Sequence, residues 1–105
     1  MKNEPMKSSI KVMQRNSQNA AGMLKLLANP KRLIVLCHLV KGEKSVGQLA
    51  ELVDLSHSAL SQHLAKMRAL ELVEADKRGQ MVYYKINNPE VEAILSTLYL
   101  IYCKD

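Results

Sequence analysis

Hydrophobic positions along the chain change their period in a way that predicts its elements. From Asn16, residues Ala20, Ala21, Met23, Leu24, Leu27 and Ala28 recur at the spacing of one helical face. Asn29-Pro30 interrupts that helix and starts another, because an Asn side chain caps a helix and proline suits its first position. The second helix places Leu33, Leu36, Cys37 and Val40 on one face and stops at Gly42, in the place of a C′ glycine. Ser45 caps a short third helix with Val46, Leu49, Ala50 and Val53 at i, i+3, i+4, i+7. Asp54-Leu55 makes a tight connection, and Ser56 caps a fourth helix carrying Leu60, Leu64 and Met67. The period then drops to two. Val73 and Ala75 alternate with Glu74 and Asp76, and Val82, Tyr84 and Ile86 alternate with Met81, Tyr83 and Lys85. The intervening Lys77-Arg78-Gly79-Gln80 is the basic tip of a β-hairpin. Asn88-Pro89 repeats the helix-start signal for a last helix running to about Tyr102.

Two short amphipathic helices joined by about three residues form a helix-turn-helix, and the hairpin behind them is a wing. The predicted fold is therefore mainly α (α+β), a winged helix-turn-helix in the order α-α-α-α-β-β-α. Residues 1–15, with Lys2, Lys7, Lys11 and Arg15 around Pro5 and Ser8-Ser9, are expected as a mobile basic arm that turns helical near its end. Residues 16–105 are expected as one winged helix-turn-helix domain, for DNA binding and dimerisation on the grounds given below. The last helix carries Val91, Ile94, Leu95, Leu98, Tyr99, Ile101 and Tyr102, more apolar surface than one small core needs. A two-fold partner would bury it, so a homodimer is expected.

Composition narrows the partner. The 105 residues suit one domain, and fifteen Lys+Arg against ten Asp+Glu give a formal charge of +5 and a pI near 9.3. A small basic chain favours an acidic partner such as nucleic acid or an anionic membrane. Trp and Phe are absent and all four Tyr lie after residue 82, which argues against a stacking platform for single strands or RNA. Apolar runs such as Leu33-Ile34-Val35-Leu36-Cys37 are too short to span a bilayer, and the first residues lack the h-region of a secretory signal. Two cysteines are too few for a disulfide framework and are expected as thiols in a reducing cytoplasm. Double-stranded DNA remains, with no membrane partner and no cofactor.

A helical wheel over residues 57–70 separates two faces. His57, Ser58, Ser61, Gln62, Ala65, Arg68 and Ala69 share one arc; Leu60, His63, Leu64, Met67 and Leu70 share the other, where His63 reads as a packed histidine. The polar arc suits base edges, since Gln can bond adenine bidentately, hydroxyls serve several bases and imidazole can donate to guanine. Lys66 and Arg68 late in the helix, with Lys77 and Arg78 at the wing tip, are the candidate phosphate contacts, and Gln80 is a further candidate DNA contact.

These motifs resemble the ArsR/SmtB family of bacterial transcriptional repressors. The matching stretches are Leu27-Ala28-Asn29-Pro30-Lys31-Arg32-Leu33, Ser45-Val46-Gly47-Gln48-Leu49, Ser56 to Leu64, and Gly79-Gln80-Met81-Val82-Tyr83-Tyr84, within a resemblance covering residues 16–103. It implies a homodimer through the first and last helices, a recognition helix in each of two successive major grooves, and release when an inducer binds. The family's metal sites are not matched: residues 46–53 contain no thiol, and the last helix has Glu90 and Glu92 but no His. Cys37 and Cys103, in Leu36-Cys37-His38-Leu39 and Leu98-Tyr99-Leu100-Ile101-Tyr102-Cys103, resemble the thiol pair of the BigR/HlyU/SqrR-type branch. That branch implies linkage of the two cysteines by reactive sulfur species and weaker DNA binding. Lys31, Lys104 or a helix terminus would be the groups to lower a thiol pKa. Three rivals stay open: a metal-responsive repressor using Cys37, Cys103 and a histidine or carboxylate, an activator that displaces a silencing protein, and a non-specific architectural protein. A catalytic role is not expected, because Cys37 and His38 are adjacent and point about 100° apart on a helix.

Overall fold

The computed structural model describes residues 4–103, with side chains from Ser9 onward. Five helices and three strands follow one another as α1 (Glu4–Leu27), α2 (Pro30–Val40), β1 (Lys44–Ser45), α3 (Val46–Leu52), α4 (His57–Ala69), β2 (Val73–Arg78), β3 (Met81–Ile86) and α5 (Pro89–Tyr102). The architecture is a winged helix-turn-helix, mainly helical with a small antiparallel sheet.

Local chemistry sets the helix starts. The Asn29 side chain accepts from the Arg32 N–H at 3.0 Å, with Pro30 opening α2. Ser45 and Gln48 close a reciprocal capping box at α3: Ser45 Oγ accepts from Gln48 N–H at 3.1 Å, and Gln48 Oε1 accepts from Ser45 N–H at 2.8 Å. Ser56 Oγ accepts from Ala59 N–H at 3.2 Å, and Asn88 Oδ1 accepts from both Glu90 and Val91 N–H at 3.1 Å. Each cap satisfies backbone donors that the helix itself leaves orphaned.

The core gathers Leu27, Val35, Leu36, Leu39, Leu49, Leu60, Leu64, Met67, Leu72, Val73, Val91 and Leu95 from every element except β1 and β3, with Tyr84 and Ile86 of β3 packed at its edge. Three features differ from the sequence reading. The buried face of α2 is Arg32, Val35, Leu36 and Leu39, with Leu33, Cys37 and Val40 only partly covered. This helix is apolar nearly all round, so periodicity alone does not select the face. Residues 4–15, expected as an arm, belong to the continuous helix α1; residues 1–3, with Lys2, lie outside the described residues, as does Lys104. Leu70 is the C-cap of α4 and is exposed, because the chain leaves the helix there.

β1 was not foreseen. Its two residues pair with β3 (Lys44 with Tyr84, Ser45 with Tyr83), giving a sheet in the order β1-β3-β2. A buried arginine was not foreseen either. Arg32 is 7% exposed, and its Nη1 donates to the Leu26 carbonyl at 2.7 Å, a cation against the C-terminal end of α1.

Candidate nucleic-acid interface and thiol cleft

α4 is anchored from behind. Leu60, Leu64 and Met67 are buried, while His57, Ser58, Ser61, Gln62, Ala65, Lys66, Arg68 and Ala69 are exposed on the other side. His63, expected on the apolar side, is only half-buried at the edge of that face. Ser58 Oγ lies 3.3 Å from Ser56 Oγ, whereas among the described residues the side chains of His57, Ser61 and Gln62 make no hydrogen bond within the chain. Their donors and acceptors are therefore free for an outside partner. No carboxylate occurs between His57 and Ala69, and Lys66 and Arg68 stand in the last turn. The result is a convex, polar, weakly positive ridge rather than a pocket, shaped to enter a groove.

The wing begins where α4 ends. Leu72 N–H donates to Met67 O at 2.9 Å and Glu71 N–H to Arg68 O at 3.0 Å, the two bonds of a Schellman motif, with Glu71 at φ 60° in the position that glycine usually takes. β2 and β3 then pair from Val73 opposite Ile86 to Arg78 opposite Met81, leaving Gly79-Gln80 as a two-residue turn. Gly79 has φ 64°, the sign a type II′ turn demands at its first central position. Lys77 and Gln80 are exposed near this tip. Arg78 differs from them, because its guanidinium is already engaged: Nη1 and Nη2 meet Glu43 Oε1 and Oε2 at 2.7 and 2.9 Å, and Nε meets Asp76 Oδ2 at 2.9 Å. It also lies 4.6 Å from the centre of the Tyr83 ring. A second cross-strand pair, Lys85 with Glu74 at 3.0 Å, stiffens the ribbon.

The two cysteines lie elsewhere, on α2 and at the end of α5. Where α2 packs on α5, Ile34, Cys37, His38, Lys41, Tyr99 and Cys103 line a cleft of about 200 Å³. Both thiols are free; Cys37 is half-buried, and Cys103, the C-cap of α5, is exposed. Lys41 Nζ rests 5.3 Å from the centre of the Tyr99 ring at the rim. Burial, and secondarily the charge of Cys103, push the Cys37 thiol above its ordinary value. The expectation that Lys31 would lower a thiol pKa is not met at Cys37: Lys31 Nζ donates instead to the Asp54 carbonyl at 3.4 Å. Sequence reasoning missed Lys41, His38 and Tyr99 as cleft residues, and Glu43 and Tyr83 as partners of the wing. Only tertiary packing brings them there. Among the described residues no three His, Cys, Asp or Glu side chains cluster as a metal site would require, and no helix is long and apolar enough to cross a membrane.

Comparison with known proteins bears on this arrangement. Residues 29–75, from the cap of α2 into the wing, match the arsR family of bacterial regulatory proteins. The transcriptional activator HlyU of Vibrio cholerae is 42% identical over 104 residues, which is 99% of this chain and 94% of that protein. The nodulation protein NolR of Rhizobium meliloti is 49% identical over 90 residues, 86% of this chain and 74% of its own length. Reduced HlyU from Vibrio cholerae superposes with a TM-score of 0.84 at 44% identity, covering 90% of this chain and 99% of that one. The transcriptional repressor BigR from Xylella fastidiosa gives a TM-score of 0.84 at 30% identity, over 90% of this chain and 97% of that one. The chain belongs to the arsR family of bacterial regulatory proteins and is a DNA-binding regulator of transcription.

Proposed function

We propose that the protein is a dimeric, sequence-specific repressor that leaves double-stranded operator DNA when Cys37 and Cys103 become linked through reactive sulfur. The observation that carries this reading is the shared cleft: two free thiols from sequence-distant helices line one small space.

In the reduced state, His57, Ser58, Ser61 and Gln62 read base edges in the major groove, and Lys66, Arg68, Lys77 and Gln80 meet flanking phosphates. Dimerisation supplies the second reading head. Two exposed apolar surfaces support it. α1 is about 36 Å long and presents Ile10, Met13 and Leu24 to solvent, with the small Ser17 and Ala20 between them at the alternating three- and four-residue spacing that suits a partner helix. α5 ends in Leu100, Ile101 and Tyr102, exposed to 68%, 57% and 78%. The protomer is correspondingly extended, with a radius of gyration of 16.5 Å against about 13 Å for a compact chain of this length.

Exposure sets the order of the thiol chemistry. Cys103, the accessible thiol, attacks the outer sulfur of a low-molecular-weight persulfide and becomes a persulfide as the carrier thiol departs. Cys37 then attacks the inner sulfur of Cys103, forming a disulfide and releasing hydrogen sulfide. If both cysteines are persulfidated first, loss of hydrogen sulfide leaves a trisulfide. Either bridge ties α5 to α2 and changes the geometry that sets the two reading heads. A coupling of about 1–3 kcal/mol lowers DNA affinity about 5- to 150-fold. Because HlyU is a transcriptional activator, a second reading keeps the same DNA contacts but raises transcription by displacing a silencing protein. Transcript levels in a deletion strain separate the two.

The test is fluorescence anisotropy of duplex DNA from the protein's own upstream region, titrated with reduced and with persulfide-treated protein at one salt concentration. The proposal requires weaker binding after treatment, recovery with a reductant, and no response in Cys37→Ser or Cys103→Ser. Equal affinity of the two forms refutes the thiol switch while leaving the DNA reading intact.

A further inference from the structure

Arg78 stands at the last cross-strand pair before the wing turn, where a basic residue is expected to hold a phosphate. Its surroundings argue otherwise. Three of its five N–H donors are used, two in a bidentate contact with Glu43 and one on Asp76. The Tyr83 ring covers the guanidinium at 4.6 Å. The Arg78 cation here faces the Glu43 and Asp76 carboxylates, and the neighbouring Lys85–Glu74 pair adds no net charge, so an approaching phosphate meets a net negative site. Lys77 is placed differently: alternation along β2 turns it to the opposite side of the ribbon, away from both carboxylates.

Glu43 gives the contact its meaning. It follows Gly42, which has φ 139°, directly after α2, and precedes β1, whose Lys44 and Ser45 pair with Tyr84 and Tyr83. Ser45 in turn caps α3, the first helix of the helix-turn-helix. Residues 42–45 therefore join α2, the wing and the helix-turn-helix within four positions. The sheet ladder holds the middle of the wing to this junction, and the Glu43–Arg78 fork holds its tip.

We infer that Glu43 and Arg78 are positioning residues for DNA binding: a bidentate strut that fixes the angle of the wing relative to α4, with the phosphate contact of the tip made by Lys77 rather than Arg78. The inference rests on the DNA-contacting role proposed above for the wing. A fork of this kind needs the planar guanidinium, because a lysine ammonium keeps the charge but cannot grip both carboxylate oxygens in fixed geometry.

The experiment measures the affinity of full-length dimer for duplex DNA across a salt series, for wild type and for Lys77→Gln, Arg78→Gln, Arg78→Lys and Glu43→Gln, with circular dichroism confirming the fold of each. Lys77→Gln is expected to lower the slope of log K against log salt by about 0.9 for each wing engaged. Arg78→Gln, Arg78→Lys and Glu43→Gln are expected to weaken binding severalfold and alike, at unchanged slope. The double variant Glu43→Gln/Arg78→Gln should be no weaker than either single one. A lower slope in Arg78→Gln with near-normal binding by Arg78→Lys overturns the inference, as does tighter binding by Glu43→Gln. Wild-type affinity in all three variants overturns it equally. An unchanged slope in Lys77→Gln overturns the assignment of the tip's phosphate contact to Lys77, whereas the strut stands or falls on the Arg78 and Glu43 variants.

Discussion

Replacing Glu71 by glycine is expected to make the protein more stable. Glu71 closes the Schellman motif between the recognition helix and the wing with φ 60°, a conformation that places its Cβ against backbone. A non-glycine residue in this region costs about 1–2 kcal/mol. Glycine removes that cost but loses about 0.5–1 kcal/mol more chain entropy on folding. Glu71 makes no side-chain hydrogen bond or ion pair among the described residues, so nothing else is lost. At mid-range the balance is a gain of about 0.75 kcal/mol, or a rise of about 3–6 °C in Tm. Thermal unfolding by circular dichroism at fixed protein concentration and under reducing conditions reads this directly, since the Tm of the proposed dimer would depend on concentration. Glu71→Gln removes the charge and keeps the strained backbone, so it should melt with wild type. Glu71→Val should melt lower, because a β-branched side chain tolerates this region least. A Glu71→Gly protein no more stable than Glu71→Gln would refute the assignment of strain to this position.

Three further outcomes follow from the core and the cleft. Leu95 is fully buried where α5 meets the core, so Leu95→Ala should cost about 2–5 kcal/mol by denaturant titration, and a loss below 1 kcal/mol would contradict the packing. Burial, then Lys44 and Lys41, holds His38 below its ordinary value of 6.5. The unfolded chain therefore takes up a proton first as pH falls, so stability should decline as pH falls through about 6.5, less so in His38→Gln. Burial and the neighbouring Cys103 keep the Cys37 thiol protonated at neutral pH. Alkylation of Cys37 in Cys103→Ser should be slower than that of Cys103 in Cys37→Ser, read by mass spectrometry, and should still be accelerating at pH 9.

What could be read from the sequence was what depends on near neighbours. Asn29, Ser45, Ser56 and Asn88 announce helix starts because each cap bonds a backbone donor two or three residues away. The hairpin was legible from its alternating side chains, but its turn was not: Lys77 and Arg78, expected in the tip, pair within β2, and only Gly79-Gln80 turn. The polar ridge of α4 was legible because Leu60, Leu64 and Met67 fix which side faces inward. The buried face of α2 was not, since a helix that is apolar nearly all round gives no preferred direction. β1 escaped because two residues carry no period, and it exists only through Tyr83 and Tyr84. The Glu43–Arg78 fork joins residues 35 apart, and nothing local to either one announces the other. The start of α1 escaped for a related reason. Ile10 and Met13 have no covering partner in one protomer, so a basic, sparsely apolar stretch reads as an arm until the helix is seen.

The central claim is that α4 reads base edges while flanking cations supply affinity, and one measurement addresses it most directly. Duplexes selected by the protein from a random-sequence pool, and scrambled versions of them, would be titrated with wild type and Gln62→Ala at several salt concentrations. The account predicts that Gln62→Ala loses about 1–3 kcal/mol on selected DNA, nothing on scrambled DNA, and no part of its salt slope. Equal losses on both DNAs, or none on either, would contradict it.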